Sequence, residues 1–127
     1  MLAGLLGWWR GRSNPTATTV WLDPTEVRWL DGTGARPLIV DVRGADEFTG
    51  PLGHIDGAVN LPLDRLEARA DSLDAPRDRD IVLVCRTDKR SARAATILAE
   101  RGFGRVVVLR AGMEGWNAAG LPLSREA

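Results

Sequence analysis

Three short apolar runs frame the chain: PLIVDV at 37–42, IVLVC at 81–85 and RVVVL at 105–109. Each is nearly continuous, rich in β-branched residues and bounded by charged or turn-forming residues, as expected of parallel strands buried on both faces. Two further strands are predicted at TVWL (19–22) and AVNL (58–61), the second stopped by Pro62. Between the strands the apolar spacing becomes helical. DPTEVRWLDG predicts a helix with Asp23 as N-cap, Pro24 in the first helical position and Glu26 placed to close a capping box, ending at Gly32 or Gly34. LDRLEARADSL puts Leu63, Leu66, Ala70 and Leu73 on one helical face. SARAATILAERG reads as a helix closed by Gly102, MEGWNAAG as a short last helix, and a helical turn is expected around Asp46 to Phe48. Strands alternating with helices predict an α/β fold around a parallel sheet covered on both faces. Ligands of such sheets lie beyond the carboxyl ends of the strands, and Cys85 stands at one such end.

NPTATT (14–19), small, polar and proline-containing, reads as a linker, so the folded domain is expected over 18–127 with 1–17 as leader and linker. MLAGLLGWWRGR has nine uncharged residues before Arg10 and Arg12, the reverse of a secretory signal. It is also far short of the ~20 apolar residues that span a bilayer. It is read as a leader or packing segment, with a membrane or partner anchor through Trp8 and Trp9 as the alternative. A chain of 127 residues has room for one domain with one sizeable core. Seventeen basic residues balance seventeen acidic ones, so no overall field favours nucleic acid or an anionic membrane, and any anion site must be local. The single cysteine leaves no internal disulfide, no Cys-x-x-Cys redox pair and no cysteine-rich zinc site. A reducing, cytoplasmic setting is expected, with no metal and no cofactor.

CRTDKRS must turn the chain from the strand ending at Cys85 into a helix beginning near Ser91. In so tight a curl successive backbone N–H groups converge, and the next helix adds unpaired N–H groups and its dipole. Arg86, Lys89 and Arg90 against Asp88 give the loop a local charge of +2. The expectation is an anion-binding cup with a thiol at its floor, in surroundings that favour the reactive thiolate. The plainer alternative is a buried cysteine filling a strand end beneath a solvated loop.

CRTDKRS resembles the active-site loop of rhodanese-like sulfurtransferases, in which Cys is followed by four residues, then commonly Arg, then Ser or another small residue. DVRGADEF and GHIDGAVNLP resemble the family's first signature and AGMEGWNAAGLP its closing one, so the likeness runs from about Val20 to Pro122. The resemblance implies a rhodanese-like fold, a five-stranded parallel sheet with helices on both faces. It also implies double-displacement chemistry: Cys85 attacks the outer sulfur of thiosulfate or a related donor, sulfite leaves, and cyanide or a thiol takes sulfur from the resulting persulfide. Loop N–H groups would stabilise the persulfide anion. Arg86, Lys89 and Arg90 would attract the donor, with Thr87, Asp88 and Ser91 completing the binding loop. Asp41, Arg43 and Glu47 are implied as a supporting ion-pair network. Glutathione or a thioredoxin-like protein is the implied acceptor, and the protein itself is expected to be a monomer or a weakly associating homodimer. Asp88 departs from the small residue common there in the family. Aspartate tolerates left-handed backbone, and its charge either weakens donor attraction or pairs with Arg90 or Arg93.

Cys-dependent phosphatases are the sharpest enzymatic rival, but they resemble a Cys-x5-Arg loop, one residue longer than Cys85 to Arg90; the sixth residue after Cys85 is Ser91. A rhodanese-like binding module without turnover would be marked by loss of the cysteine. A dedicated persulfide carrier is not separated from an enzyme by sequence. His54, the one histidine, is read as structural, its ring bonded to backbone, rather than as half of a Cys-His pair. Trp116 is expected to pack the closing helix on the core, and Arg93 to be a solvated charge.

Overall fold

In the computed structural model, which describes residues 18–31, 36–73 and 76–127, the apolar runs become one parallel sheet. Its strands are β1 (Thr18–Leu22), β2 (Leu38–Asp41), β3 (Val59–Asn60), β4 (Ile81–Val84) and β5 (Arg105–Leu109), in the order β1-β5-β4-β2-β3. The helices are α1 (Pro24–Asp31), α2 (Ala45–Phe48), α3 (Leu63–Arg69), α4 (Lys89–Glu100) and α5 (Gly112–Ala118). The leader 1–17 and the two glycines expected to end α1 lie outside the described residues.

β4 is buried at all four positions, and its alternation serves two different layers. Ile81, Leu83 and Cys85 join Val40, Val106 and Val108 against Leu66, Ala94, Leu98 and Phe103, the layer built by α3 and α4. Val82 and Val84 join Ile39 and Leu109 against Val27, Met113 and Trp116, the layer built by α1 and α5. Each fully buried Val, Leu or Ile contributes roughly 1.5–3 kcal/mol, so a one-residue slip of β4 would exchange its two apolar sets at considerable cost. That register also decides which face Cys85 takes.

Local differences from the sequence expectation have local causes. AVNL contributes only Val59–Asn60, because the Ala58 N–H closes a turn on Ile55 O at 3.0 Å. LDRLEARADSL is α-helical to Arg69 and then tightens to a 3₁₀ turn over Ala70–Ser72. The helix after the cysteine starts two residues earlier than Ser91, at Lys89. The α1 capping box forms on its backbone side, with Asp23 N–H donating to Glu26 Oε1 at 2.9 Å.

β2 and β4 are neighbours, yet the chain leaves β2 toward β3 and leaves β4 toward β5. The two connections therefore diverge and open a crevice at the carboxyl edge of the sheet, the usual place for a ligand in this architecture. His54 sits on the β2–β3 connection. Its Nδ1 donates to Phe48 O at 2.7 Å, its ring stacks on Phe48 with centroids 3.6 Å apart, and its backbone pairs with Ser124. It is a structural histidine. Trp116 is 1% exposed and donates from Nε1 to Pro122 O at 2.7 Å, packing α5 onto the core.

Candidate active site

The residue after β4 is Cys85, 1% exposed, and Arg86, Thr87 and Asp88 turn the chain into α4. The turn is held through its carbonyls: Met113 N–H donates to Cys85 O at 2.9 Å and Glu114 N–H to Arg86 O at 3.1 Å. Gly112 makes this contact possible. With φ of 51° it lies in the left-handed region, and a Cβ there would come within 3.0 Å of the carbonyl oxygens of Cys85, Arg86 and Thr87. The carbonyls of this turn face α5, which keeps them out of any nest of donors on its other edge. The first turn of α4 adds its own N–H groups, the first helix-closing bond being Ala92 N–H to Asp88 O at 2.9 Å. Ser91, in that turn, is fully buried, and its Oγ has no hydrogen-bond partner among the described residues.

Left-handed backbone was expected to suit Asp88, but Asp88 has φ of −151°. The left-handed residues are instead Ala111 and Gly112 in the facing turn, at φ of 63° and 51°. Nor does Asp88 pair with Arg90 or Arg93 among the described residues. Arg90 is taken by a better-placed acceptor: its Nη1 and Nη2 donate to Glu47 Oε1 and Oε2 at 2.7 and 3.0 Å.

Glu47 is delivered by α2, where its Oε1 also accepts from the Gly44 N–H at 3.2 Å. The Arg90 hydrogen bonds lower the Glu47 carboxyl from 4.5 to about 2; partial burial opposes them, and the Gly44 amide and the charges of Arg90 and Arg43 assist. Arg90 is raised in turn, first by its bond to Glu47, against burial, and then by the charges of Glu47, Cys85 and Asp41. Beneath it, Arg43 and Asp41 form a buried bidentate pair, Nε to Oδ1 at 2.9 Å and Nη2 to Oδ2 at 2.8 Å. Arg43 also donates to Gly53 O at 2.7 Å. Asn60 Nδ2 ties the turn together, donating to Asp41 O and Arg43 O at 3.1 and 2.9 Å.

At the rim Arg86 Nε donates to Glu114 Oε2 at 2.7 Å, with the two side chains 64% and 46% exposed. Arg43, Glu47, Pro51, Leu52, Arg86 and Glu114 line a cavity of about 360 Å³. Lys89 is exposed and has no carboxylate partner among the described residues. The +2 charge expected of the loop is therefore offset by two carboxylates from elsewhere in the fold, Glu114 on Arg86 and Glu47 on Arg90, while Lys89 stays exposed.

The model of the rhodanese-like domain matches residues 23–119. The chain belongs to the rhodanese-like domain family. It is 38% identical over 86 residues to a sulfurtransferase of Allochromatium vinosum, covering 68% of this chain and 77% of that one. It is 35% identical over 96 residues to the probable adenylyltransferase/sulfurtransferase MoeZ of Mycobacterium tuberculosis, covering 75% of this chain and 24% of MoeZ. Among solved structures, thiosulfate sulfurtransferase from Pseudomonas aeruginosa superposes with a TM-score of 0.75 at 28% identity, over 86% of this chain and 21% of that one. The likeness to the last two proteins thus spans about a quarter or less of their length.

In this rhodanese-like domain Arg43, Glu47 and Arg86 line one cavity, Arg86 being the residue next to the buried Cys85; Arg90 joins it through its bonds to Glu47, and Asp41 lies buried against Arg43. Arg93 lines a separate groove of about 820 Å³ with Leu63, Glu67, Ile97 and Arg90. Sequence reasoning missed Gly112, Glu114 and Asn60. The first two lie in AGMEGW, where only Trp116 had been singled out, and no spacing rule pairs Glu114 with a residue 28 positions away. Among the described residues no group of three or more His, Cys, Asp or Glu is placed to hold a metal ion.

Proposed function

We propose that this rhodanese-like domain is a sulfurtransferase that carries sulfane sulfur as a persulfide on Cys85. The observation behind the reading is the pairing of a buried Cys85 with a loop whose carbonyls face α5 and which leads into the helix turn holding Ser91, whose buried hydroxyl has no partner among the described residues. The sulfurtransferase names of the Allochromatium and Pseudomonas relatives support it. In the first half-reaction the Cys85 thiolate attacks the outer sulfur of thiosulfate or a related sulfane donor. The donor's S–S bond breaks, the leaving group departs with the bonding pair, and the new persulfide anion rests on the amide edge of residues 86–91. Ser91 Oγ supplies a further hydrogen bond to that anion, and Arg90, oriented by Glu47, balances its charge. In the second half-reaction cyanide or a thiolate, from glutathione or a thioredoxin-like protein, takes the outer sulfur and the Cys85 thiolate returns. No described helix is long and apolar enough to cross a membrane, and a cytoplasmic setting is proposed from the reducing conditions a single reactive thiol needs.

Intact mass before and after a sulfane donor, followed by cyanide and a thiocyanate assay, tests the reading. Wild type should gain one sulfur and release it as thiocyanate, while Cys85→Ser should gain none and keep its melting transition. Sulfur gained equally by Cys85→Ser, or by neither protein from any sulfane donor, would overturn it.

A further inference from the structure

Resting on that reading, we infer that the sulfur donor is a thiol persulfide of low charge rather than the thiosulfate dianion, and that Glu114 sets this preference. The cavity rim carries four charged side chains, and each is committed. Arg86 is held by Glu114, Glu47 by Arg90, and Arg43 by Asp41 underneath. A dianion entering here meets two carboxylates at the rim, and Glu114 already holds the Nε of Arg86 and offsets its charge. Cysteine persulfide carries a net charge of −1 at most near neutral pH, its carboxylate being offset by its ammonium, and its carbon chain can lie against Pro51 and Leu52, the uncharged side of the same cavity.

Glu114 is the adjustable member. Glu47 also caps α2 and orients Arg90, so its loss would disturb the scaffold. Glu114 is attached to the loop twice, by its N–H on Arg86 O and by its carboxylate on Arg86 Nε, so its position follows the loop it neutralises. The side chain is 46% exposed and can lose its charge without leaving a buried partner unpaired. The transfer balances without any outside oxidant. The Cys85 thiolate attacks the outer sulfur of R–S–SH, a new S–S bond forms as the donor's S–S bond breaks, and R–S⁻ leaves with the electron pair. The persulfide proton passes to solvent or to R–S⁻.

The test is single-turnover loading of Cys85, read by intact mass, with thiosulfate and with cysteine persulfide as the two donors. Glu114→Gln should raise the thiosulfate loading rate about fivefold to tenfold and change the ratio of the two donor rates by a similar factor, an effect that shrinks with added salt. Adding Arg86→Gln to Glu114→Gln should return the thiosulfate rate to near the wild-type value, which a merely structural role of Glu114 would not produce. An unchanged donor ratio in Glu114→Gln, or a wild type that loads faster from thiosulfate than from cysteine persulfide, would overturn the inference and leave the sulfurtransferase reading standing. Failure of wild-type Cys85 to load from either donor would overturn both.

Discussion

The turn after β2 is closed by side chains, whereas the loop after β4 is closed by backbone. In the first, the Arg43 guanidinium spends its donors on Asp41 and Gly53, and Asn60 clasps the carbonyls of Asp41 and Arg43. In the second, the structural bonds are carbonyl contacts to α5 across Gly112, and the side chains stay at the rim in exposed or half-exposed pairs. Under the proposed function, the difference follows from what each must do. A turn that only supports can fill its interior with a charge pair, but a loop that receives an anion must keep its N–H groups unspent and aimed at one point. Burying its cations against carboxylates would leave nothing for a ligand.

The contrast can be broken first at Arg43. Arg43→Met should cost about 3–5 kcal/mol in denaturant unfolding, because Asp41 would be left as an unpaired buried charge. A cost below about 1 kcal/mol would mean the β2 turn does not depend on that pair. Next comes Gly112→Ala, which forces a Cβ onto three loop carbonyls in left-handed backbone and should cost about 2–4 kcal/mol. It should also slow Cys85 loading at temperatures where the variant is fully folded, since the loop must shift; an unaltered loading rate would show the carbonyl contacts do not shape the cup.

Glu47→Gln should cost about 1 kcal/mol near neutral pH, much less than the carboxyl shift alone suggests, because the pair is about a third exposed and screened. The sign of its pH dependence follows from the lowered carboxyl. The stabilisation is fully present above the ordinary value of 4.5 and is lost as pH falls through about 2. Urea midpoints of wild type and Glu47→Gln should therefore converge across that window, and a difference that stayed constant would remove Glu47 as the titrating group. Smallest for the fold is Ser91→Ala, expected within about 1 kcal/mol of wild type because it deletes a buried hydroxyl that has no partner. Its effect should appear instead as a shorter lifetime of the loaded persulfide, followed by the decay of the added mass; an unchanged lifetime would remove Ser91 from the site.

Much of this was legible along the chain because the hydrophobic pattern is local. The continuous apolar run at 81–85 by itself places the thiol at the end of a buried strand, whereas only the structure shows that Ile81, Leu83 and Cys85 face α3 and α4. The short distance from Cys85 to the helix also dictates a tight curl, and Asp23 with Glu26 marks a helix start that forms as expected. Charge was not legible in the same way. Counted along CRTDKRS the loop is cationic; counted in space it is neutral, because topology carries Glu47 to Arg90 across 43 positions and Glu114 to Arg86 across 28. The role of Gly112 was hidden for the same reason, since what it must avoid are carbonyls of a different loop. Periodicity depends on which face a residue turns to its own neighbours, whereas ion pairing and close backbone approach depend on distances that exist only once the strands have taken their order in the sheet.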